Sequence, residues 1–196
     1  MFERRHLHAL PVALLALVLA ACQTPPRTSF PELTYSHLEP IRLAAAEIEV
    51  KDAYVPPLRA PNVEHQMPVA PAAAATRWAR DRLQPGGPEG RAVFTIVDAG
   101  VVETKLKGSD GLEGVFTTDQ SERYDATLAI EIDIYDRAGV RLGGVTSTVK
   151  RSRTVAENAS LAERDQVWFS LTEAMMTDLD REVEAAIRKH LKLYLR

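Results

Sequence analysis

The stretch that decides the fold is Arg123-Tyr124-Asp125-Ala126-Thr127-Leu128-Ala129-Ile130-Glu131-Ile132-Asp133-Ile134. From Tyr124 onward every second side chain in it is apolar, and nearly all of the intervening ones are polar. Alternation with a period of two is typical of a strand that buries one face and leaves the other in water. The sequence therefore predicts a β-sheet with one apolar face and one solvated face, built around this strand.

A hairpin is predicted directly after this strand. Asp136-Arg137-Ala138-Gly139 begins with an aspartate and ends with a glycine, two residue types that favour a tight turn, and apolar alternation resumes in residues 140–149. A shift of one residue would move every apolar side chain to the wrong face, so the hydrophobic phase constrains the pairing. We therefore expect three cross-strand pairs: Tyr135 with Val140, Ile130 with Val145, and Asp125 with Lys150, the last as an ion pair.

Two more strands are predicted earlier in the chain. Residues 41–51 place apolar and charged side chains in alternation, which predicts the first strand. A second strand runs from Arg91 toward Leu106, and its residues 93–97 are apolar or β-branched on both faces, as in a central strand. Gly100 predicts a bulge in this strand, where the buried face changes.

Two helices are predicted. Pro71 is suited to the first position of a helix, and residues 72–83 are good helix formers with Trp78 on their apolar stripe. Later in the chain, Ser160-Leu161-Ala162-Glu163 has the sequence of a capping box, which satisfies the first free backbone N–H groups of a helix. The helix that follows carries a stripe at intervals of three and four: Val167, Trp168, Leu171, Met175, Leu179, Val183, Ile187 and Leu191.

The order of these elements predicts the fold class. One strand, one helix, three strands and a final helix form a two-layer α+β sandwich. We expect a mainly antiparallel four-stranded sheet with both helices on its apolar face, and we assign residues 41–196 to this single domain. Residues 52–70 contain four prolines and are expected to form a long irregular crossing.

The amino-terminal residues have the plan of a secretory signal peptide. Arg4 and Arg5 precede a short apolar run, residues 10–19, and small residues then lead to Cys22. This run is too short for a permanent membrane-spanning helix. Residues 1–21 are therefore predicted to be removed from the mature protein. Because Cys22 is the only cysteine, we expect no disulfide.

Leu19-Ala20-Ala21-Cys22 resembles the lipobox of bacterial lipoproteins. The resemblance implies cleavage before Cys22 and acylation of Cys22 by a diacylglycerol and a fatty acid, with no other cofactor. Two or three acyl chains anchor a protein stably on a membrane surface. By the sorting rule of these lipoproteins, Gln23 after the cysteine is compatible with an outer-membrane protein that faces the periplasm of the cell envelope.

Residues 22–40 contain four prolines and show no sustained periodicity. A segment of this kind stays extended and does not nucleate a helix. We interpret it as a flexible tether between the lipid anchor and the domain. The alternative is that Phe30, Leu33 and Tyr35 dock on the surface of the domain.

Two surfaces are candidates for binding. Lys150, Arg151 and Arg153 form the densest basic cluster after the leader, and such a cluster is either a solvated strand end or a site for phosphate, carboxylate or an acidic partner. Apolar residues in a glycine-rich stretch either fold back onto the sheet or form a contact loop for a partner or a lipid surface. These apolar residues are Leu112, Val115 and Phe116.

Several classes of function are disfavoured by the sequence. The net charge of −3 argues against general nucleic-acid binding. The three histidines after the leader, His37, His65 and His190, lack metal-ligand spacing, so no metal site is predicted. Glu131 and Asp133 are explained by a solvated strand face. No motif of an activated nucleophile is present, and we expect a binding module and not an enzyme, with an envelope hydrolase as a remaining alternative.

The pattern of elements, together with the lipobox, resembles the LPS-assembly lipoprotein family, whose members sit inside the outer-membrane LPS translocon barrel. Residues 117–124, the basic strand end and the helix that follows carry this likeness best. It implies a role in outer-membrane glycolipid transport or assembly, with a β-barrel partner. Auxiliary lipoproteins of ABC-type lipid transport systems have a comparable element order and a tryptophan early in the first helix, here Trp78. This second likeness implies a transporter subunit as the partner.

Overall fold

The computed structural model describes residues 29–106 and 120–196. The signal peptide, Cys22 and the predicted contact loop with Leu112, Val115 and Phe116 lie outside these described residues. The elements of the described part are β1 (Ile41–Leu43), β2 (Glu47–Asp52), α1 (Pro71–Arg82), β3 (Leu83–Pro85), β4 (Arg91–Asp98), β5 (Val101–Lys105), β6 (Gln120–Tyr135), β7 (Arg141–Ala156) and α2 (Leu161–His190), with short 3-10 turns at Glu64–Gln66 and Lys192–Tyr194.

The main sheet is mixed and has five strands, so the expected four strands are wrong, and the mainly antiparallel pairing that was expected is interrupted by one parallel pair. β6 is its centre, with β7 along one edge and β4 and β5 along the other, and β2 lies outside β4. All of these pairs are antiparallel except β2 with β4, which is parallel. The physical reason is the helix between β2 and β4, because a strand-helix-strand crossover returns the chain in the same direction.

A second, two-stranded sheet replaces the start of the predicted first strand. β1 pairs in parallel with β3, which follows α1 without a loop. The predicted continuous strand breaks at residues 44–46, where the chain crosses close to Gly87. A Cβ atom on this glycine would lie 2.7 Å from the carbonyl carbon of Ala44, so the crossing requires glycine.

The predicted second strand is present as two strands, β4 and β5, which pair one after the other along the same edge of β6. Its register on β6 shifts between Ile96 and Asp98, and the strand is interrupted at Ala99 and Gly100. The carbonyl of Gly100 still accepts a hydrogen bond of 2.9 Å from the backbone N–H of Thr127 on β6. The irregularity expected near Gly100 is therefore confirmed, with the register shift a few residues before it.

The β6–β7 hairpin is confirmed, but its expected register is wrong by two residues. Tyr135 pairs with Arg141 instead of Val140. The register then shifts by one more residue, so that the neighbouring Ile134 pairs with Gly143. Asp136 closes the turn, accepting from the N–H of Gly139 through its carbonyl and from the N–H of Val140 through its side chain. Because the slip is even, the apolar face is preserved. The resulting pairs are Ile132 with Val145, Ile130 with Ser147, Thr127 with Lys150, and Asp125 with Ser152.

The core lies between the sheet and the two helices, which pack on the same apolar face. The even-numbered side chains of β6 from Tyr124 to Ile134 are all buried, as predicted. Trp78 of α1 stacks obliquely on Phe94 of β4 with a centroid distance of 5.7 Å. The apolar stripe that was predicted for α2 begins with the partly buried Val167. Its other members, from Trp168 to Leu191 just after the helix, are buried. Among the described residues, no helix has the length and apolar character needed to cross a membrane.

Both helix starts are confirmed. Pro71 is the first residue of α1. At the start of α2, Ser160 Oγ accepts from the backbone N–H of Glu163, and the Glu163 carboxylate accepts from the backbone N–H of Ser160 at 2.7 Å. The hydrogen bonds that the Glu163 carboxylate accepts from the Ser160 N–H and from the Ser160 hydroxyl, the latter at 2.8 Å, lower the pKa of this exposed carboxyl.

Residues 29–40 lie along the helices, so contacts with the domain begin before Ile41. The ring of Phe30 stacks on Phe169 of α2 with a centroid distance of 5.1 Å. The backbone N–H of Tyr35 donates to the Asp81 carboxylate at 2.8 Å, and its ring is buried. This described part of the expected flexible tether therefore docks, in the way that the alternative interpretation predicted for Phe30, Leu33 and Tyr35.

Candidate functional site

The basic end of β7 is described in full, and its three cations do not share one face. Arg151 and Arg153 pair with the buried Ala126 and Tyr124 of β6, so they lie on the helix side of the sheet. Lys150 pairs with Thr127 and lies on the opposite, open side. All three are exposed. This division follows from the period of two of a strand, because residues 151 and 153 lie on the opposite face from residue 150.

Arg151 is held by the second helix. Its Nε donates to Oδ2 of Asp178 at 2.5 Å, and Arg181 contacts the other carboxylate oxygen at 2.9 Å. The hydrogen bond from Arg151 is the main reason that the pKa of Asp178 is lowered, and the positive charges of both arginines add to it. Arg151 is thus a link between β7 and α2, and little of its charge remains for a ligand.

Lys150 and Arg153 keep their charges available. Within the described part of the chain, neither lies within 4.0 Å of a carboxylate. The predicted ion pair between Asp125 and Lys150 is wrong, because the register places Asp125 opposite Ser152. Asp125 instead binds Arg123 on its own strand at 2.7 Å. A shallow groove of about 360 Å³ runs over this region, lined by Arg123, Asp125, Ala126, Thr127, Lys150, Arg151 and Ser152.

The open face of the sheet is mostly polar. Asp133, which was interpreted as part of a solvated strand face, accepts from Nε of Arg141 at 2.7 Å. This hydrogen bond and the charge of Asp133 raise the pKa of Arg141. Arg91 lies over the ring of Tyr135, 5.0 Å from its centroid. Local pairs of this kind neutralise charges on the described part of this face.

The structure also contains a second concave site, which the sequence does not predict. A cavity of about 400 Å³ lies where α1 and α2 meet β1, and four arginines line it: Arg42, Arg82, Arg188 and Arg196. The residues come from four separate parts of the chain, so no short-range pattern marks them. Glu184 binds two of these arginines, Arg82 at 2.6 Å and Arg188 at 2.6 Å. Hydrogen bonds from both lower the pKa of Glu184, and its partial burial acts in the other direction.

Glu64 is the most buried carboxylate of the described residues, at 3% exposure. Burial alone would raise its pKa, but hydrogen bonds from the backbone N–H of Val101, its own backbone, and the side chains of Tyr54 and Asn62 lower it. These contacts attach the irregular crossing over residues 53–70 to β5. Glu64 is therefore explained by its structural role.

The geometry defines an α+β domain with an open sheet face and a basic strand end. No protein-family model matches the chain, and no curated protein matches it. The fold is similar to the crystal structure of a minor lipoprotein from Acinetobacter baumannii, with 16% sequence identity, a TM-score of 0.40, and coverage of 76% of this chain and 96% of that chain. It is also similar to rare lipoprotein B from Shewanella oneidensis, with 10% identity, a TM-score of 0.37, and coverage of 71% and 92%.

Proposed function

We propose that the protein is a lipid-anchored lipoprotein of the cell envelope that works as a non-enzymatic binding or assembly module in outer-membrane glycolipid transport. The observation that carries the proposal is the sequence Leu19-Ala20-Ala21-Cys22 at the end of a short apolar run. A diacylated or triacylated Cys22 would hold the domain at a membrane surface on the periplasmic side.

The absence of catalysis is part of this proposal, and the chemistry of the perturbed groups supports it. Catalytic acids and bases have shifted pKa values because they are buried beside a reacting centre. Here each lowered carboxyl pKa has a local structural cause. The pKa of Glu163 is lowered by hydrogen bonds within the helix cap, those of Asp178 and Glu184 by hydrogen bonds from arginines, and that of Glu64 by hydrogen bonds from β5 and within the crossing over residues 53–70. Within residues 29–106 and 120–196, no three metal-ligating side chains come together.

The basic end of β7 is the part of the domain that suits an anionic ligand. Lys150 and Arg153 are exposed, and arginine and lysine bind phosphate and carboxylate groups through charge-assisted hydrogen bonds. On a protein held against an envelope membrane, a glycolipid headgroup or an acidic protein segment supplies such groups. The second candidate, an auxiliary lipoprotein of an ABC-type system, is favoured by Trp78, although the core position of this residue at 0% exposure already explains it.

The experiment that tests the anchor is replacement of Cys22 by serine in a bacterium with two membranes. Mass spectrometry of the wild-type protein should find a processed chain that begins with a diacylglycerol-modified Cys22. Cys22→Ser should remove the modification and release the protein from the membrane fraction, whereas Gln23→Ala should keep the modification. An intact leader or an unmodified cysteine in the wild type would overturn the proposal.

Affinity purification from detergent extracts of the wild type separates the two candidate functions. Recovery of a β-barrel protein supports the assembly module of the outer membrane. Recovery of ABC subunits or lipid carriers supports the transporter auxiliary. Lys150→Glu and Arg153→Glu should each weaken the recovery of an anionic partner, and Lys51→Glu on the far edge strand is the matched control.

A further inference from the structure

Within the described part of the chain, no strand covers the outer edge of β7, and only its beginning is contacted, where the Tyr194 hydroxyl donates to the carbonyl of Leu142 at 3.2 Å. β7 has 16 residues and pairs only with β6 among the described strands. Its register on β6 is uninterrupted from Val155 to Gly143. Natural sheets protect their edges with short strands, prolines, bulges or charged side chains. β7 is long, contains no proline, and has its irregularities only at its ends, so its basic side chains are the one protection that remains.

The backbone groups that point outward can be identified. Thr127 donates its N–H to the carbonyl of Gly100 on the β5 side, so odd-numbered backbone groups of β6 face β5 and even-numbered ones face β7. The β7 partners of those even-numbered residues are odd-numbered, as in the pair Leu128 with Val149. The even-numbered backbone groups of β7 therefore face outward, and they belong to Thr146, Thr148, Lys150, Ser152 and Thr154.

These outward groups are unoccupied in the described part of the chain. None of the five N–H groups has a hydrogen-bond acceptor there, and the only carbonyl with a partner is that of Ser152, which accepts from Arg153 at 3.2 Å. All five side chains are exposed, and three of them are threonines, which favour extended backbone. The edge is thus preorganised to pair with another extended chain.

The charge of β7 indicates which chain would pair with it. The strand contains four basic residues and no acidic one. Arg141 and Arg151 are bound to Asp133 and Asp178, which leaves Lys150 on the open side and Arg153 on the helix side. Like charges on a second copy of β7 would repel, whereas acidic side chains on an added strand would form cross-strand pairs on both faces.

We propose that the outer edge of β7 binds an extended, acidic segment of a partner protein, which adds to the sheet as a sixth strand. Backbone hydrogen bonds to the even-numbered residues from Thr146 to Thr154 would supply the affinity, and carboxylates beside Lys150 and Arg153 would supply the specificity. This inference deepens the proposed function, because it specifies how the module holds its partner.

The experiment uses the full chain purified in detergent and a fluorescein-labelled peptide of repeating Glu-Glu-Thr-Thr, which places glutamates on both faces of an added strand. Fluorescence anisotropy should show saturable binding to the acidic peptide and none to a peptide with lysine in place of glutamate. Thr148→Pro removes an outward N–H without removing a hydrogen bond to β6, and it should weaken binding about tenfold. Thr148→Val keeps the N–H and should bind as the wild type does.

Charge and backbone are tested separately. Lys150→Glu should weaken binding about tenfold, and Lys51→Glu on β2 should not change it. The acidic peptide with N-methyl groups at alternate residues lacks the backbone N–H groups that would donate to β7, so it should not bind. This measurement tests the proposal even if Thr148→Pro fails to fold. Equal binding of the N-methylated peptide, or a dimer of the free chain that Thr148→Pro dissolves, would overturn the proposal. Since no membrane is needed, such a result leaves the tests of the anchor unaffected.

Discussion

The indole Nε1 of Trp78 donates a 2.8 Å hydrogen bond to Oδ1 of Asp180, which ties the first helix to the second. The same oxygen accepts from Nε of Arg82, also at 2.8 Å, and Arg82 is only 2% exposed. A buried guanidinium is tolerated only when its charge is paired and its N–H groups are bonded. Asp180 is therefore the residue on which both buried donors depend.

We expect Asp180→Ala to reduce the free energy of unfolding by about 3 kcal/mol, because it leaves Trp78 Nε1 and Arg82 Nε without an acceptor in the core, although Glu184 still binds Arg82. Urea denaturation followed by circular dichroism measures this loss. Glu173→Ala, at an exposed position of the same helix, should change stability by less than about 0.5 kcal/mol. Equal losses in the two variants would show that the network contributes nothing specific.

The helices and the central strand could be predicted because their signals are local. The alternation along residues 123–134, the capping box at Ser160 and the proline at residue 71 each depend on neighbours in sequence. The fold class followed from these elements. The arginine-lined cavity beside Arg82 could not be predicted, because its residues meet only after α1 and α2 have packed.

The predicted register of the β6–β7 hairpin is wrong because of the geometry of its turn. A four-residue connection between Tyr135 and Val140 was expected, but Asp136 binds Val140 and shifts the register of the strand that follows. Hydrophobic phase cannot detect an error of two residues, since both registers bury the same face. The parallel pairing of β2 with β4 follows from the crossover through α1, which returns the chain in the same direction, and periodicity within each strand carries no information about it.

Gly139 and Gly90 provide a matched pair for testing the turns. Both have a positive φ, 83° and 75°. A Cβ at Gly139 would meet nothing within 4 Å, whereas one at Gly90 would lie 2.4 Å from the carbonyl oxygen of Tyr135. Gly139→Ala should therefore cost only backbone strain, about 1 kcal/mol, and Gly90→Ala should cost more because a steric clash is added. Thermal unfolding of both variants measures the order, and the reverse order would contradict this account of the hairpin.

Glu64 should make stability depend on pH. Its pKa is lowered in the folded protein, so its ionised form stabilises the fold fully above the unfolded value of about 4.3 and loses this effect as the pH falls through the folded value. We expect Glu64→Gln to cost about 2 kcal/mol at neutral pH, because Tyr54 and the Val101 N–H lose their charged acceptor. The gap from the wild type should shrink below about pH 4.

Urea denaturation at several pH values measures this gap. Glu157→Gln, at an exposed position after β7, is the control for a general effect of removing one carboxylate. A gap between wild type and Glu64→Gln that stays constant from neutral to acidic pH would mean that the carboxylate is not held ionised by its hydrogen bonds.

Phe30 should be needed to keep residues 29–40 on the domain. Phe169 is 5% exposed yet lies outside the main core cluster, and the ring of Phe30 stacks on it. Phe30→Ala uncovers this ring, and it should cost about 1–2 kcal/mol of stability through lost apolar burial and aromatic contact. The segment should also become more susceptible to proteolysis, because cleavage requires local detachment of the backbone.

Limited proteolysis followed by mass spectrometry of the fragments tests this attachment, with His37→Ala as the control because His37 is exposed in the same segment. Faster cleavage before Ile41 in Phe30→Ala, and unchanged cleavage in His37→Ala, is the expected result. If the two variants and the wild type are cleaved at the same rate, the stacked pair does not hold the segment. The domain boundary would then lie at Ile41, as the proline-rich sequence alone predicts, and the full length of residues 22–40 would be available to span the distance from a lipid anchor.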